Sequence, residues 1–202
     1  MEYITLKDDG NYTISNTINS KYIVTFLSQY NIINSIDNKF ITITANNIQT
    51  LDTFQKLDNK DKYINKFIYD IGCQILLLKQ YNLAIKYFSL SDIIVINDDI
   101  FLFISNNMLF ELLETIDIDS SPYTYGKIDF DSIDTKALFI PYELTLNKKE
   151  KYFYYTTAYY SFAKLLLHYF NINLKDIQGT VLYFFCKRCL YDNPLDRDFL
   201  FI

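Results

Sequence analysis

The period of the apolar pattern changes near residue 60. Before it, Tyr12-Thr13-Ile14, Lys21–Leu27 and Lys39–Thr44 (KFITIT) are short runs rich in β-branched and aromatic residues, a pattern that predicts strands. Asp8-Asp9-Gly10-Asn11, Asn19-Ser20 and Asp37-Asn38 supply turns between them, and Asn31–Ile36 adds a further short strand. From Asn59 or Asp61 to about Tyr81, apolar residues fall at Ile64, Phe67, Ile68, Ile71, Ile75, Leu76 and Leu78, the spacing of a helix with a wide buried stripe. Asp58, Asn59 or Asp61 can cap its start, since a short side-chain oxygen accepts from a free backbone N–H there, and Asn82 is its stop. A shorter helix is expected around Asn47–Leu57.

The stretch Ile85–Leu109 organises the rest of the chain. Ile93–Ile96 and Ile100–Ile104 are apolar runs across an Asn97-Asp98-Asp99 turn, a β-hairpin pattern. Glu114–Lys136 is polar, with Ser120-Ser121-Pro122 and Gly126, and reads as a long loop. Tyr152–Phe170 is almost unbroken aromatic and aliphatic, with Lys164 and His168 as its long polar insertions, so a helix in the middle of a core is expected. After a short turn at Leu174–Ile177, Thr180–Leu190 is a second core helix, ended at Asp192-Asn193-Pro194 because Pro cannot continue the ladder. The expected class is therefore α+β: a small β-rich part at 1–46, and a mostly helical part with a hairpin at 47–202.

Composition sharpens this picture in two respects. Half of the 202 residues are hydrophobic, enough for burial to offset the entropy of ordering the chain. The abundant Ile, Asn, Lys, Tyr and Phe all have A/T-rich codons, so much of the bias reflects the base composition of a genome. The formal charge of −5 and the scattered lysines argue against a phosphate-tracking nucleic-acid binder. The densest basic group, Lys148-Lys149 with Lys151, is interrupted by Glu150 and reads as a solvated loop. MEYITLKDDG lacks the basic start and apolar run of a signal peptide, and no apolar run approaches the ~18 residues of a membrane span. Cys73, Cys186 and Cys189 do not make a disulfide framework, which fits a reducing, intracellular setting.

Candidate chemistry is sparse. Cys186-Lys187-Arg188-Cys189 has the spacing of half a zinc site, but a closed site needs four ligands and only Cys73 and His168 remain. Two small residues on a buried helix face are the better account. His168, in LLLHYF, reads as a core or edge histidine. Asp92, Asp98 and Asp99 could form a cation site, although acidic turns are usually just solvated. The Tyr-rich run Tyr152–Tyr160 has the spacing of core aromatics rather than of a base-stacking platform.

The order of a β-rich start, a long helix, a hairpin, a long loop and apolar helices resembles a eukaryotic-type protein kinase. Local words carry the resemblance over about residues 38–202. DIGCQILLLKQYNLAIKYFSLSDIIVIND, residues 70–98, resembles the helix, catalytic loop and following strand. FIPYEL, Phe139–Leu144, resembles the Ala-Pro-Glu segment that closes the activation loop, with Glu143 at the Glu. YYSFAKLL, Tyr159–Leu166, resembles the start of the central buried helix. CLYDNPLDR, ending at Arg197, resembles the late segment whose Arg pairs with that Glu. In style the chain is similar to degenerate kinase-like proteins of giant nucleocytoplasmic DNA viruses.

The departures bear on activity. Phosphoryl transfer needs a Lys on the phosphates, an Asp for the hydroxyl proton, and Asn and Asp ligands for Mg²⁺. No glycine-rich loop is present, because Gly10 is the only glycine before Gly72. Lys21 and Lys39 lie in contexts unlike Val-Ala-Ile-Lys. The His-Arg-Asp position falls on Ile85-Lys86-Tyr87 in one register and Tyr87-Phe88-Ser89 in another, and neither supplies the base. The metal-binding Asn falls on Asp92 in the first register. The Asp-Phe-Gly position falls near Ser105-Asn106-Asn107, whose neutral side chains hold Mg²⁺ poorly. The Asp that usually opens the central helix is replaced near Ala158.

The resemblance thus implies a kinase-like fold with an abridged β-rich N-terminal lobe (1–46) and a helical C-terminal lobe (47–202). It implies no catalytic residues and no cofactor, with Glu143 and Arg197 kept as a structural ion pair. The expected role is a protein-interaction or structural module with a protein partner, no nucleic acid and no membrane. The expected setting is the host cytoplasm or the virion. The rival is a divergent phosphotransferase with relocated metal ligands at Asp92, Asp98 and Asp99.

Overall fold

The computed structural model describes residues 4–6, 11–15, 20–54, 60–113, 125–127, 133–134, 136–145 and 152–200. The fold is α+β. The first half carries β1 (Ile4–Leu6), β2 (Asn11–Ser15), α1 (Lys21–Ser28), β3 (Ile33–Ile36), β4 (Phe40–Thr44), β5 (Ile48–Thr50) and α2 (Lys60–Gln80). Then come β6 (Leu83–Ile85), β7 (Ile93–Ile96), β8 (Ile100–Phe103), β9 (Leu109–Glu111) and β10 (Tyr125–Lys127). The chain continues with α3 (Tyr142–Thr145), β11 (Tyr152–Tyr154), α4 (Thr157–Tyr169) and α5 (Val181–Cys189). These elements form two compact units that interleave in sequence: residues 1–81 with 90–107, and residues 82–89 with 108–202. The boundary expected between residues 46 and 47 falls inside the first unit.

In the first unit, β1, β2, β4 and β3 make an antiparallel sheet in that order. Its register is marked on the solvent face by Asn34, whose amide donates to Asn11 Oδ1 at 2.8 Å and to Thr44 Oγ1 at 2.7 Å. The β3–β4 turn is closed by Asp37, whose carboxylate accepts from the Lys39 and Phe40 amides at 2.6 and 2.7 Å.

Lys21–Leu27 forms the helix α1, not the expected strand. Its buried residues Tyr22, Ile23, Phe26 and Leu27 share one helical face, and burying that face outweighs the β preference of the run. The helix expected at Asn47–Leu57 is likewise corrected. Ile48–Thr50 pairs with β7 as strand β5, a turn continues through Thr53, and residues 55–59 lie outside the described ones. The Asp8–Gly10 turn, Asn19, and the caps at Asp58 and Asn59 also lie outside them.

The helix α2 matches the expected span. Ile64, Phe67, Ile68, Ile71, Ile75 and Leu78 are buried, while Leu76 is exposed. Asn82, at φ 56°, ends the helix in the left-handed region that Asn tolerates. The hairpin is also as expected: β7 and β8 pair from Ile93↔Phe103 to Ile96↔Ile100. Asn97 and Asp98 both take positive φ in the turn, and the Asp99 N–H donates to the Ile96 carbonyl. The strand β8 lies on α2, with the Phe101 ring 5.0 Å from that of Phe67 and 6.2 Å from that of Phe54.

In the second unit, β6 pairs with β9 and β10 pairs with β11. Within the expected loop Glu114–Lys136, residues 125–127 are strand β10, while 114–124 and 128–132 lie outside the described residues. The core helix expected from Tyr152 begins instead at Thr157, since Tyr152–Tyr154 pairs with β10 as strand β11. At Gly126 a Cβ would land on the Glu111 carbonyl oxygen and the Phe110 ring, so only glycine lets β10 lie this close to β9. The helices α4 and α5 pack through Phe162 and Phe185, and Phe199 inserts beside both, 5.8 and 5.0 Å away. Thr180 caps α5 by accepting from the Tyr183 N–H at 3.2 Å.

Candidate functional site

The segment matched to a catalytic loop starts on β6. The β6–β9 ladder is extended on both sides, by the Lys86 N–H to the Met108 carbonyl and the Leu112 N–H to the Asn82 carbonyl, each 2.8 Å. This clamps the start of the loop. The loop is then drawn into the core rather than presented to solvent: Leu83 through Phe88 are all buried.

Tyr87, the residue that the resemblance sets against a catalytic Asp in the first register, is 4% exposed. Its ring lies in an apolar cluster with Ala84, Phe110, Leu112, Ile133, Leu144 and Phe153. Its phenol oxygen accepts from the Asp134 N–H at 3.3 Å. A base must reach the hydroxyl of an incoming substrate within hydrogen-bonding distance, and an enclosed ring with a committed oxygen does not. Phe88 is held the same way. Its ring packs on Phe162, and its N–H donates to Ser161 Oγ of α4 at 2.7 Å. In the second register the Asp position is Ser89, which is half-buried. Lys86, just before Tyr87, is also buried, and desolvation lowers the pKa of its ammonium.

In the first unit the three acidic candidates separate. Asp98 and Asp99 share the hairpin turn, whereas Asp92 ends a short 3₁₀ turn before β7. Strand β7 lies between them, so at ~3.3 Å per residue Asp92 and Asp98 are more than about 13 Å apart. Ligands of one cation reach it at ~2.0–2.6 Å, so Asp92 cannot share a metal with the turn. Asp98 accepts instead from the Asn47 and Gln49 side-chain amides, at 3.1 and 3.2 Å, fastening β5 to the hairpin tip. Asp99 is 4.0 Å from Lys62, a solvent-exposed pair worth little. Asp92 lies near Tyr22. Burial first, and the Asp92 charge second, hold the Tyr22 phenol well above its usual pKa. At the Asp-Phe-Gly position Ser105 is buried, and Asn106 begins a 3₁₀ turn.

Glu143 and Arg197 meet. Glu143 lies on the one-turn helix α3 and Arg197 comes directly after the 3₁₀ turn Pro194–Asp196. The guanidinium donates Nη1 to Glu143 Oε1 at 2.5 Å and Nη2 to Oε2 at 2.9 Å. Two of its three remaining donors go to the Tyr191 carbonyl (Nε, 2.7 Å) and the Asp192 carbonyl (Nη2, 3.1 Å). The plane also rests 4.9 Å from the Tyr160 ring centroid. The Arg197 side chain is fully buried and its charge is paired with that of Glu143, the condition for a buried ion to be tolerated.

Cys186 and Cys189 are buried side by side on the core face of α5, and desolvation pushes the Cys186 thiol up to about 12 and the Cys189 thiol higher. His168 is exposed at the end of α4, its ring 5.3 Å from Phe139. Among the described residues, no group of three or more His, Cys, Asp or Glu could hold a metal ion, and no helix is long and apolar enough to cross a membrane.

Reading the sequence missed Ser161, Asp70 and Gln74. Each is a polar residue in an apolar helical stripe, which is the signal that could have marked it as a buried anchor. Their partners are backbone groups tens of residues away, and those leave no local trace.

No protein-family model matches this chain, and no curated protein sequence matches it.

Proposed function

We propose that this chain is a non-catalytic, kinase-like protein that acts as a protein-interaction or structural module. The observation that carries the reading is the burial of Leu83–Phe88, with Tyr87 enclosed in an apolar cluster where a catalytic base would face its substrate. Beside it the Arg197–Glu143 tether is intact. Catalysis of phosphoryl transfer is positioning plus charge stabilisation, and Leu83–Phe88 carries no carboxylate to take the hydroxyl proton.

Two further features support the reading. The hairpin β7–β8 comes after a long helix, the order on which the resemblance rests. The strand before α1 is NYTIS and α1 is KYIVTFLS, so the Lys–Glu pair that a kinase sets between such a strand and helix is absent from both. A fold hosts many functions, so the role rests on the site and not on the architecture. The A/T-rich codon bias agrees with the kinase-like proteins of giant DNA viruses, and the proposed setting is an infected cytoplasm or a virion.

The test is a calorimetric titration of the full chain with ATP, with and without Mg²⁺. The expected result is no Mg²⁺-dependent binding. Clear Mg²⁺-dependent binding overturns the reading in favour of a divergent phosphotransferase. Affinity capture from the producing cell or virion then identifies the protein partner.

A further inference from the structure

The strand β8 has two edges, and one is paired with β7. Asp92 and Ile104 occupy a hydrogen-bonded position of that ladder, the Ile104 N–H donating to the Asp92 carbonyl. Alternation then points the backbone N–H and C=O groups of Ile100 and Leu102 toward β7, and those of Phe101 and Phe103 away from it. Among the described residues, no strand pairs with that outer edge. Ile100–Ile104 is IFLFI, uncharged and strongly β-forming, a run that pairs readily with another strand when its edge is open.

Side chains occupy the edge instead. The Phe101 N–H donates to Asp70 Oδ2 at 3.0 Å, and the Phe101 carbonyl accepts from Gln74 Nε2 at 2.8 Å. The Phe103 N–H donates to Gln74 Oε1 at 2.8 Å, and the Phe103 carbonyl accepts from the Tyr22 phenol at 2.9 Å. All four outward groups are satisfied, two by one glutamine. Asp70 is itself fixed, accepting from Lys66 at 2.7 Å and from the Tyr30 phenol at 2.8 Å. Asp70 and Gln74 are fully buried, so neither is there for solubility.

We propose that Tyr22, Asp70 and Gln74 act together as a side-chain strand, which locks the outer edge of β8 and keeps it from pairing with a second copy of this chain. The lock also fastens α1 and α2 to the hairpin by specific bonds, so these elements move as one piece. It is independent of the kinase-like reading.

The test uses native-state hydrogen exchange of the full chain, resolved by residue. Gln74→Leu keeps the bulk and removes both bonds. The Phe103 amide, which loses its acceptor, is expected to exchange faster by on the order of tenfold, while Phe101, still held by Asp70, and Ile100 and Leu102 keep their protection. Sedimentation of the same variant is expected to show larger species that grow with protein concentration. Gln74→Glu guards against a variant that fails to fold. Its carboxylate accepts from Phe103 but cannot donate to Phe101. The Phe103 amide is therefore expected to keep its protection in Gln74→Glu and lose it in Gln74→Leu, with wild type at the same pH as control. Unchanged Phe103 protection in Gln74→Leu overturns the lock. An opened edge with wild-type sedimentation overturns its role against self-pairing.

Discussion

Arg197 holds Glu143 by two parallel guanidinium–carboxylate bonds across 54 residues of chain, and its side chain is fully buried. The contact joins the α3 segment to the segment after α5. Its strength comes from geometry: the fork of donors matches the two carboxylate oxygens, which an ammonium cannot do. Removing Glu143 by Glu143→Ala leaves a buried cation with one side unpartnered, and a loss of about 3–5 kcal/mol is expected from urea denaturation. Arg197→Lys is expected to recover only part of the wild-type stability. A double-mutant cycle between the two positions is expected to give a coupling at the upper end of about 0.5–3 kcal/mol.

The two described glycines outside α2 are constrained for different reasons, and substitution separates them. Gly126→Ala drives a methyl into the Glu111 carbonyl and the Phe110 ring, and is expected to cost about 1–3 kcal/mol through displacement of β10. Gly179 has open space around it but sits at φ 84°, so Gly179→Ala is expected to cost about 1–2 kcal/mol from backbone conformation alone. Gly179→Asn, which tolerates that region better, is expected to recover part of the second loss, as read from thermal midpoints.

Asp70 makes stability depend on pH with a definite sign. Burial raises its carboxyl above the usual value, against the pull of Lys66, the Phe101 amide and Tyr30. A carboxyl raised by folding contributes stability that is fully present below its unfolded pKa and is lost as pH rises through the folded one. The loss is therefore expected in the interval that starts near the ordinary Asp value of about 3.9 and extends above it. Asp70→Asn removes this proton linkage, so the slope of denaturation midpoint against pH is expected to flatten there. An identical slope in both proteins counts against the assignment.

The cysteines differ in access. Cys186 and Cys189 are buried with raised thiol pKa values, whereas Cys73 is only partly covered. A thiolate is the reactive form, so a disulfide reagent at neutral pH is expected to modify Cys73 slowly and leave the α5 pair untouched in the folded protein. All three are expected to react in denaturant. Rapid native modification of Cys186 or Cys189, read by mass, disproves this ordering.

How far the sequence could be read depended on whether a residue's partner lay within one helical turn or one hairpin. The stripe of α2, the Asn82 stop, the KFITIT strand and the Asn97-Asp98 turn are local patterns, and each is found where periodicity and turn chemistry put it. Lys21–Leu27 misled because Tyr22, Ile23, Phe26 and Leu27 satisfy a helical face as well as a strand composition, and packing decided between them. Tyr152–Tyr154 misled because its strand partner centres on Gly126, 27 residues before the Phe153 it pairs with, where a missing side chain carries the information. Of the candidate site, the Glu143–Arg197 contact was legible through resemblance. The burial of Tyr87 was not, because the cluster around it draws on Phe110, Ile133, Leu144 and Phe153, far along the chain.

The interleaving of the two units has a consequence for synthesis. The face of α2 that carries Phe67 is covered by Phe101 of β8, which leaves the ribosome more than a helix-length later. A nascent chain ending at Tyr81 holds every residue of the first unit's N-terminal stretch, yet its longest helix still exposes the side that β8 will close. The first unit can only be finished once residue 107 has emerged, and by then residues 82–89 of the second are already out, waiting for β9. Fragments cut at residue 81 are accordingly expected to be insoluble, and a chaperone-free translation of the whole chain to acquire protease resistance late and in one step.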